Sequence, residues 1–231
     1  MTIWKPLLTA TLAASATLLI GCSDTGPESS QTSSASACLL DAAQSPCDLL
    51  TIERARTVFP MLPEKIDINE NVTKYSSSCR ISWQTGRKST VGSGNFAMEV
   101  DVDDALELSN IRQVNADTFI RQHRTLSDEE KAQAAEQAAQ AVDAKAKDGT
   151  IDKKHVDMGK DFAKSLVNKM QWDPVTGLGD QAAWGGVGRF KTLNVLVGDT
   201  MFSVRAEVSN EETKTLEASK LAAQAIVDAC E

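Results

Sequence analysis

Residues 7–20 form an apolar run interrupted only by Thr and Ser, behind a segment whose single charge is Lys5. As a helix, these fourteen residues at about 1.5 Å each reach about 21 Å, short of the roughly 30 Å hydrocarbon core of a bilayer. The run therefore reads as a secretory signal that is removed, not as a permanent span. Export would put the rest of the chain in an oxidising space, where cysteines pair. Beyond Cys22 there are four: Cys38, Cys47, Cys79 and Cys230. An even count in an exported chain favours two disulfides over free thiols.

The apolar run ends Leu19-Ile20-Gly21-Cys22, which resembles the lipobox of bacterial lipoproteins. The resemblance implies cleavage between Gly21 and Cys22, with residues 1–21 as the signal peptide. It also implies transfer of a diacylglyceryl group to the Cys22 thiol, the one side chain here with the required nucleophilicity. Gly21 has no side chain to obstruct the peptidase. In this family the freed α-amino group is acylated as well. Each buried CH₂ contributes about 0.8 kcal/mol, so two or three chains hold a membrane far more firmly than one myristoyl group. Ser23 stands where the sorting rule of enteric lipoproteins places Asp for inner-membrane retention. Ser at that position implies the outer membrane, facing the periplasm.

Charge narrows the partners. The chain carries 24 Lys and Arg against 32 Asp and Glu, a formal charge of -8, and removal of the leader with Lys5 would make it -9. An acidic protein of this kind is a poor ligand for nucleic-acid phosphates. With 42% hydrophobic residues it can nonetheless build a core. Residues 23–37 hold six Ser, two Thr, one Gly and one Pro and no large apolar side chain, so 22–37 is expected to be a lipidated cysteine and flexible tether. One α+β domain is expected over 38–231, compatible in length with a single core.

Four cysteines allow three pairings. Cys47 with Cys79 and Cys38 with Cys230 is the favoured one: the first closes a loop of about 33 residues, contributing roughly 3 to 4 kcal/mol by the chain-entropy argument, and the second staples the domain's ends. Zinc is the competing use of these thiols, but there is no C-x-x-C spacing, and His123 and His155 lie far from any Cys in sequence.

Thr51 is the expected N-cap of a short helix stopped by Pro60 and Pro63. Ile81 and Trp83 alternate with Arg80 and Ser82, a strand pattern. Phe96, Met98, Val100 and Val102 alternate in the same way and predict a second, half-buried strand. Residues 103–122, with Leu106, Ile111, Val114 and Phe119, read as a helix. Ser127 and Glu130 form a capping box that opens an Ala-rich helix over 127–148. Val156, Phe162, Leu166 and Met170 predict the apolar stripe of the next helix. Gly198-Asp199 predicts a two-residue hairpin turn between Leu193, Val195 and Val197 on one side and Phe202, Val204, Ala206 and Val208 on the other. Ser209 and Glu212 form a second capping box, opening a final helix that carries Leu216, Ala223, Val227 and Cys230 on one face. These elements predict an α+β fold, an antiparallel sheet with helices packed on one face. The recurrence of a Trp strand, a Phe-initiated strand and a helix, with Trp83 matching Trp184 and Phe96 matching Phe202, suggests internal duplication.

A second resemblance rests on Pro46-Cys47-Asp48-Leu49-Leu50-Thr51, a later Cys79 near Trp83, and Gly177-Leu178-Gly179-Asp180-Gln181-Ala182-Ala183-Trp184 ahead of a hairpin. These segments resemble small cysteine-paired extracytoplasmic lipoproteins of unknown function and the sensor domains of membrane receptors grouped with them. The resemblance implies ligand or partner binding outside the cytoplasm and supplies no catalytic residues.

No catalytic motif emerges. Gly177 and Gly179 sit in a G-x-G-x-x-A string, but between a helix and strands, the reverse of a dinucleotide site. The string 67–78 begins like a calcium loop, yet Val72 and Ser78 replace the required Gly and Glu. Asp101, Asp103, Asp104 and Glu107 are acids at a strand end. Gly92-Ser93-Gly94 is not a nucleophile elbow. Asp180, Trp184 and Arg189, in and around the glycine-rich segment, are the candidate recognition surface, since loops can project an aromatic beside charges. No cofactor or metal is expected. The function expected is a lipid-anchored cell-envelope protein with a non-catalytic binding or scaffolding domain, its partner an envelope protein or a wall or surface ligand. The alternatives are an envelope hydrolase built around His123 or His155, or a periplasmic inhibitor or immunity-type protein that neutralises a toxin or hydrolase. Cys22→Ser is expected to abolish metabolic labelling with palmitate; label persisting on that variant would reject lipidation at this position.

Overall fold

The computed structural model describes residues 34–91, 97–150, 152–188 and 190–231. The leader, Gly21 and Cys22 lie outside them, as do Phe96 and Arg189.

The chain is already helical at Ser34, in α1 (Ser34–Asp41). That corrects the expected tether boundary at residue 37, and the reason is a buried serine. Ser36 is fully buried: its Oγ donates to Asp199 Oδ1 at 2.5 Å and lies 2.7 Å from Thr200 Oγ1, at the tip of a distant hairpin. A small hydroxyl satisfied by tertiary partners can enter a core that a solvated one cannot. Two short 3₁₀ turns, Ala42–Gln44 and Pro46–Asp48, lead to α2 (Ile52–Val58). Its N-cap is Thr51, whose hydroxyl accepts from the Arg54 amide at 3.2 Å, as the sequence indicates.

Strands β1 (Asp67–Val72) and β2 (Ser77–Trp83) follow, then the pair β3 (Lys88–Val91) and β4 (Met98–Asp101), β5 (Asp104–Gln113) and α3 (Ala116–Gln122). The helical hairpin is α4 (Asp128–Lys147) with α5 (Val156–Lys169). The chain then runs through β6 (Gln171–Val175), β7 (Gln181–Val187), β8 (Phe190–Val197), β9 (Thr200–Glu207) and α6 (Glu212–Asp228). Seven strands form one antiparallel sheet in the order β1-β2-β5-β9-β8-β7-β6, while β3 and β4 pair separately.

Two expectations fail here. The strand predicted from Met98, Val100 and Val102 exists only as β4, outside the large sheet, and Met98 is 61% exposed rather than half-buried. The helix predicted over 103–122 is mostly β5, and only its last turns are helical, as α3. Leu106 and Leu108 alternate as a strand should, but the register shifts between Ser109 and Arg112, with Asn110 at φ 56°. This β-bulge inserts one residue and returns Ile111 to the same core cluster as Leu108. The resulting steps of three from Leu108 to Ile111 to Val114 imitate helical spacing.

The sheet register sorts side chains by face. Cys79, Ile81, Leu106, Leu108, Leu193, Val195, Phe202 and Val204 pack on one face with Leu39 of α1 and with Ala222, Ala223, Ile226 and Val227 of α6. On the opposite face Val114 and Phe119 pack with Ala183, Leu196 and Met201. The helices thus pack against both faces, not one. An internal repeat is not evident in this packing, since α3, which follows β5, and α6, which follows β9, cover opposite faces and 98–101 has no place beside β9.

The capping box of Ser127 and Glu130 forms as expected, and α4 buries Ala135 and Ala139. Its small side chains allow α5 to approach closely: a Cβ on Gly159 would lie 3.2 Å from a Val142 methyl. The stripe predicted on α5 is only partly used. Val156, Ala163, Leu166 and Val167 are half-buried, whereas Phe162 is 64% exposed. At the β8–β9 turn Gly198 adopts φ 60° at the first turn position, as the hairpin rule requires.

Both favoured disulfides are present. Cys38–Cys230 spans Cα atoms 5.6 Å apart and Cys47–Cys79 spans 5.0 Å. The first ties α1 to the end of the chain across 192 residues, so its loss releases the most chain entropy. A Cys38→Ala, Cys230→Ala double variant is expected to lose about 2–5 kcal/mol in urea unfolding; an unchanged unfolding midpoint would show that the clamp contributes nothing.

Candidate functional site

The face of the sheet opposite the main core carries charge across three adjacent strands. Register places Arg80 of β2 opposite Glu107 of β5, and Glu107 opposite Arg205 of β9. Arg80 donates to Glu107 at 3.2 Å and to Glu207 at 2.6 Å, and Arg205 donates to Glu107 at 2.9 Å. These groups are half-buried, so each charge is held by neighbours of opposite sign rather than by bulk water. Burial pushes the Glu207 carboxyl up, but the Arg80 hydrogen bond and the fields of Arg205, Arg80 and Arg87 outweigh it and leave the group below the usual carboxylate range. Desolvation opposes the charge on Arg80, and its two glutamates more than restore it.

This lattice borders a cavity of about 810 Å³ at the sheet end where β9 leads into α6. Trp184 lines the inner wall. Its ring is almost fully buried in the main core, and Nε1 donates to Glu212 Oε1 at 3.1 Å. The Lys191 ammonium donates to the same oxygen. Those two bonds hold the Glu212 carboxyl below its ordinary range. The predicted capping box of Ser209 and Glu212 therefore does not form. Glu211 is the N-cap of α6, and Ser209 accepts from its amide at 3.0 Å. A charge-assisted bond from an ammonium is stronger than one from a backbone amide, so Glu212 turns to Lys191.

Arg87 closes the far wall. Its Nε meets Asp104 at 2.5 Å, its Nη2 donates to the carbonyls of Asp103 at 3.1 Å and Glu207 at 2.8 Å, and its Nη1 donates to Asn210 at 3.1 Å. All three guanidinium nitrogens are thereby committed to bracing the β3–β4 excursion against the main sheet. Phe190, 61% exposed at the start of β8, also belongs to the lining. Gly186 sets its approach: with φ at 138°, a Cβ there would lie 2.4 Å from the Phe190 carbonyl oxygen. Only glycine permits this spacing.

Of the recognition surface expected from sequence, Trp184 is the member found among the described residues that line this cavity. Asp180 sits at the other end of β7 from Gly188, and its carboxylate accepts from the Gly198 amide at 2.6 Å, bracing the β8–β9 turn. Trp184 lines the cavity from the core, and Arg189 lies outside the described residues. Gly177 and Gly179, with φ at 77° and 56°, form the turn-rich loop expected. Of the four acids near the strand end, Asp104 pairs with Arg87, and Glu107 with Arg80 and Arg205. Among the described residues, no three His, Cys, Asp or Glu side chains gather as a metal site would require. Lys191, Glu212, Glu207 and Arg87 were missed by sequence reasoning. The available signal was the alternation of β8 and β9, which puts Lys191 and Ala206 on one face and Glu207 on the other.

Two further cavities flank the sheet. One of about 820 Å³, lined mostly by apolar residues, lies between residues 58–62 and α6, floored by Trp83, whose ring centroid is 5.4 Å from that of Phe59. The other, of about 550 Å³, contains His123 between Phe119 at 4.5 Å and the edge-on Trp172 at 4.8 Å. The His123 Nδ1 lies 3.0 Å from the Phe119 carbonyl, which makes that nitrogen the protonated one. His155, on the 3₁₀ turn Lys153–His155, is exposed.

No protein-family model matches the chain, and comparisons with curated proteins and with solved structures likewise return no match. Among the described residues, no helix is long and apolar enough to cross a membrane.

Burial lowers the pKa of His123 below the 6.5 of an exposed imidazole, with the Phe119 carbonyl opposing and Arg112 assisting. The unfolded chain therefore binds the proton more readily, and the stabilisation of the neutral ring is present above 6.5 and lost as pH falls through the lower folded value. Urea midpoints measured from neutral pH to about pH 5 are expected to fall, and His123→Phe is expected to flatten that slope. An unchanged slope in the variant would exclude His123 as its source.

Proposed function

We propose that this chain is a lipid-anchored cell-envelope protein whose folded domain binds a ligand or partner and does not transform it. The observation that carries the reading is the sheet-end cavity, walled by Trp184, Arg80, Glu207, Lys191 and Glu212, whose charged groups are neutralised by one another. Pockets that bind small molecules combine such volume with a few oriented polar groups. Ion pairing also suits binding better than proton transfer. A general acid or base needs a pKa near the working pH, whereas Glu207 and Glu212 are held below the usual carboxylate range. At His123 the ring meets a carbonyl and two aromatic rings, with no hydroxyl or carboxylate among its described ring contacts, so nothing there favours the hydrolase alternative.

Anchoring rests on the lipobox at Gly21 and Cys22, supported by the two disulfides, which suit an oxidising compartment. In this reading the outer membrane, facing the periplasm, holds the acyl chains. The domain then meets an envelope protein or a wall or surface ligand rather than nucleic acid. The test is photo-crosslinking in intact cells from a benzophenone amino acid placed at Phe190. A discrete adduct that disappears on Lys191→Ala is expected. Adducts that are absent, or indifferent to that substitution, would reject the cavity as the binding site.

A further inference from the structure

The large sheet has two edges, and the chain treats them differently. Strand β6 forms one of them. The Thr125 hydroxyl donates to the Trp172 carbonyl at 2.8 Å and accepts from the Trp172 amide at 2.9 Å, so both outward backbone groups of that residue are filled. Two residues on, the next outward position is Pro174, which has no amide to offer. An incoming strand finds little to bond along β6.

Strand β1 forms the other edge, and all six of its residues are exposed. The turn into β2 shows which backbone groups it presents. Thr73 continues the register opposite Ser76, and its amide donates to the Ser76 carbonyl at 2.8 Å, so that pair is hydrogen-bonded. Bonded and non-bonded pairs alternate along an antiparallel ladder. Asn71, Asn69 and Asp67 are therefore the residues bonded to β2, while Ile68, Glu70 and Val72 aim their amides and carbonyls at the open edge. Among the described residues, no backbone bond from outside the sheet reaches those three.

The same three residues place their side chains on the core side of the sheet, opposite Ile81, Cys79 and Ser77. Ile68 is 51% and Val72 42% exposed, so two open aliphatic groups flank a carboxylate. The Cys47 amide holds that carboxylate through Oε1 at 3.0 Å, and Oε2 can meet an incoming donor. With no Lys, no Pro and no register shift in β1, its guard against unwanted pairing is charge, from Asp67 and Glu70. That guard discriminates between occupants. A second copy of this chain, laid antiparallel so that Ile68 meets Val72, sets Glu70 against Glu70, and like charges directly opposite are destabilising. A strand that brings Lys or Arg to that position gains an ion pair instead and covers both aliphatic groups.

We infer that β1 is a docking edge for an extended segment of a partner protein, added antiparallel to the sheet, with a cation opposite Glu70 and an apolar residue two places to either side of it. Main-chain bonds supply the affinity of such a strand, and its alternate side chains the selectivity. No residue of β1 lines the sheet-end cavity, so the inference stands apart from the binding reading above.

The test titrates the purified full-length protein in detergent with the acetylated and amidated peptide Thr-Val-Thr-Lys-Thr-Val-Thr. Binding is read by calorimetry, and hydrogen exchange at single amides by NMR. Saturable binding is expected, with new protection at the amides of Ile68, Glu70 and Val72 and none gained at Asn69 and Asn71, which β2 already holds. Replacing the peptide's Lys by Glu is expected to weaken binding about tenfold, through loss of the ion pair. Ile68→Pro removes an outward amide that takes no part in the ladder, so it should block binding while the protein still unfolds cooperatively in urea. Should that variant fail to fold, a peptide N-methylated at its Lys and both Val residues imposes the same block from the other side. Phe162→Ala, on α5, should bind like the parent. The proposal is overturned by absence of binding at millimolar peptide, by protection arising at other amides instead, or by equal binding of the N-methylated or Glu-bearing peptide. A dimer of the protein alone that Ile68→Pro dissolves also overturns it, and assigns the edge to a second copy.

Discussion

The antiparallel pairing of β5 with β9 is the constraint on which the rest of the molecule depends. It joins the three strands β1-β2-β5 to the four-stranded meander β6-β7-β8-β9 in one sheet, although the paired residues are about a hundred positions apart. Every other feature is referred to this seam. On one face it stacks Leu106 against Ala206 and Leu108 against Val204, the centre of the main core. On the other it sets Glu107 beside Arg205, the centre of the ionic lattice. A shift of one residue would exchange those faces and put charge in the core. The bulge at Asn110 preserves the arrangement past Ser109, and its side-chain amide donates to Ser203 Oγ at 3.3 Å across the seam.

Closure of the chain ends follows from the same sheet. Leu39 of α1 is fully buried in the main cluster, and Ser36 bonds to the β8–β9 tip. The Cys38–Cys230 link then fastens α1 to the residues that follow α6. The Cys47–Cys79 link does the equivalent for the segment between α1 and α2, which Cys47 also holds by donating its amide to Glu70 at 3.0 Å. With both ends of the domain fastened over one face, that face is committed to packing. The cavity therefore opens at the sheet end, where β9 leaves the sheet and the β3–β4 pair, braced by Arg87, supplies a wall.

Much of the local structure was legible. The caps at Thr51 and Ser127 and the Gly198 turn depend on a few adjacent residues and formed as their side-chain chemistry dictates. The pairing of cysteines was favoured correctly, from loop closure and from the inward face of α6. Other readings failed for physical reasons that the chain does not display locally, three of them in the strands and at the last helix. Bulged β5 imitated a helix because an inserted residue turns a period of two into steps of three. The strand at 98–101 alternates perfectly well but found only β3 to pair with, so its alternation implied no burial. Glu212, placed for a capping box, was claimed by Lys191 and Trp184, neither of them near it in sequence.

The candidate site shows the same division. Trp184 was singled out from sequence and does line the cavity, but Asp180 serves a turn at the other end of its strand, because seven residues of strand separate the two ends of β7. Alone, the sequence determined where α2 and α4 start, where the last hairpin turns, and that four cysteines were available to pair. Those properties are set by side-chain chemistry within a few residues of the backbone they act on. Only the tertiary structure decided which strand lies next to which, and therefore that Arg80, Glu107, Arg205 and Glu207 neutralise one another and that Lys191 meets Glu212. Those contacts join residues up to 127 positions apart, and a Coulomb interaction depends on distance through space rather than distance along the chain.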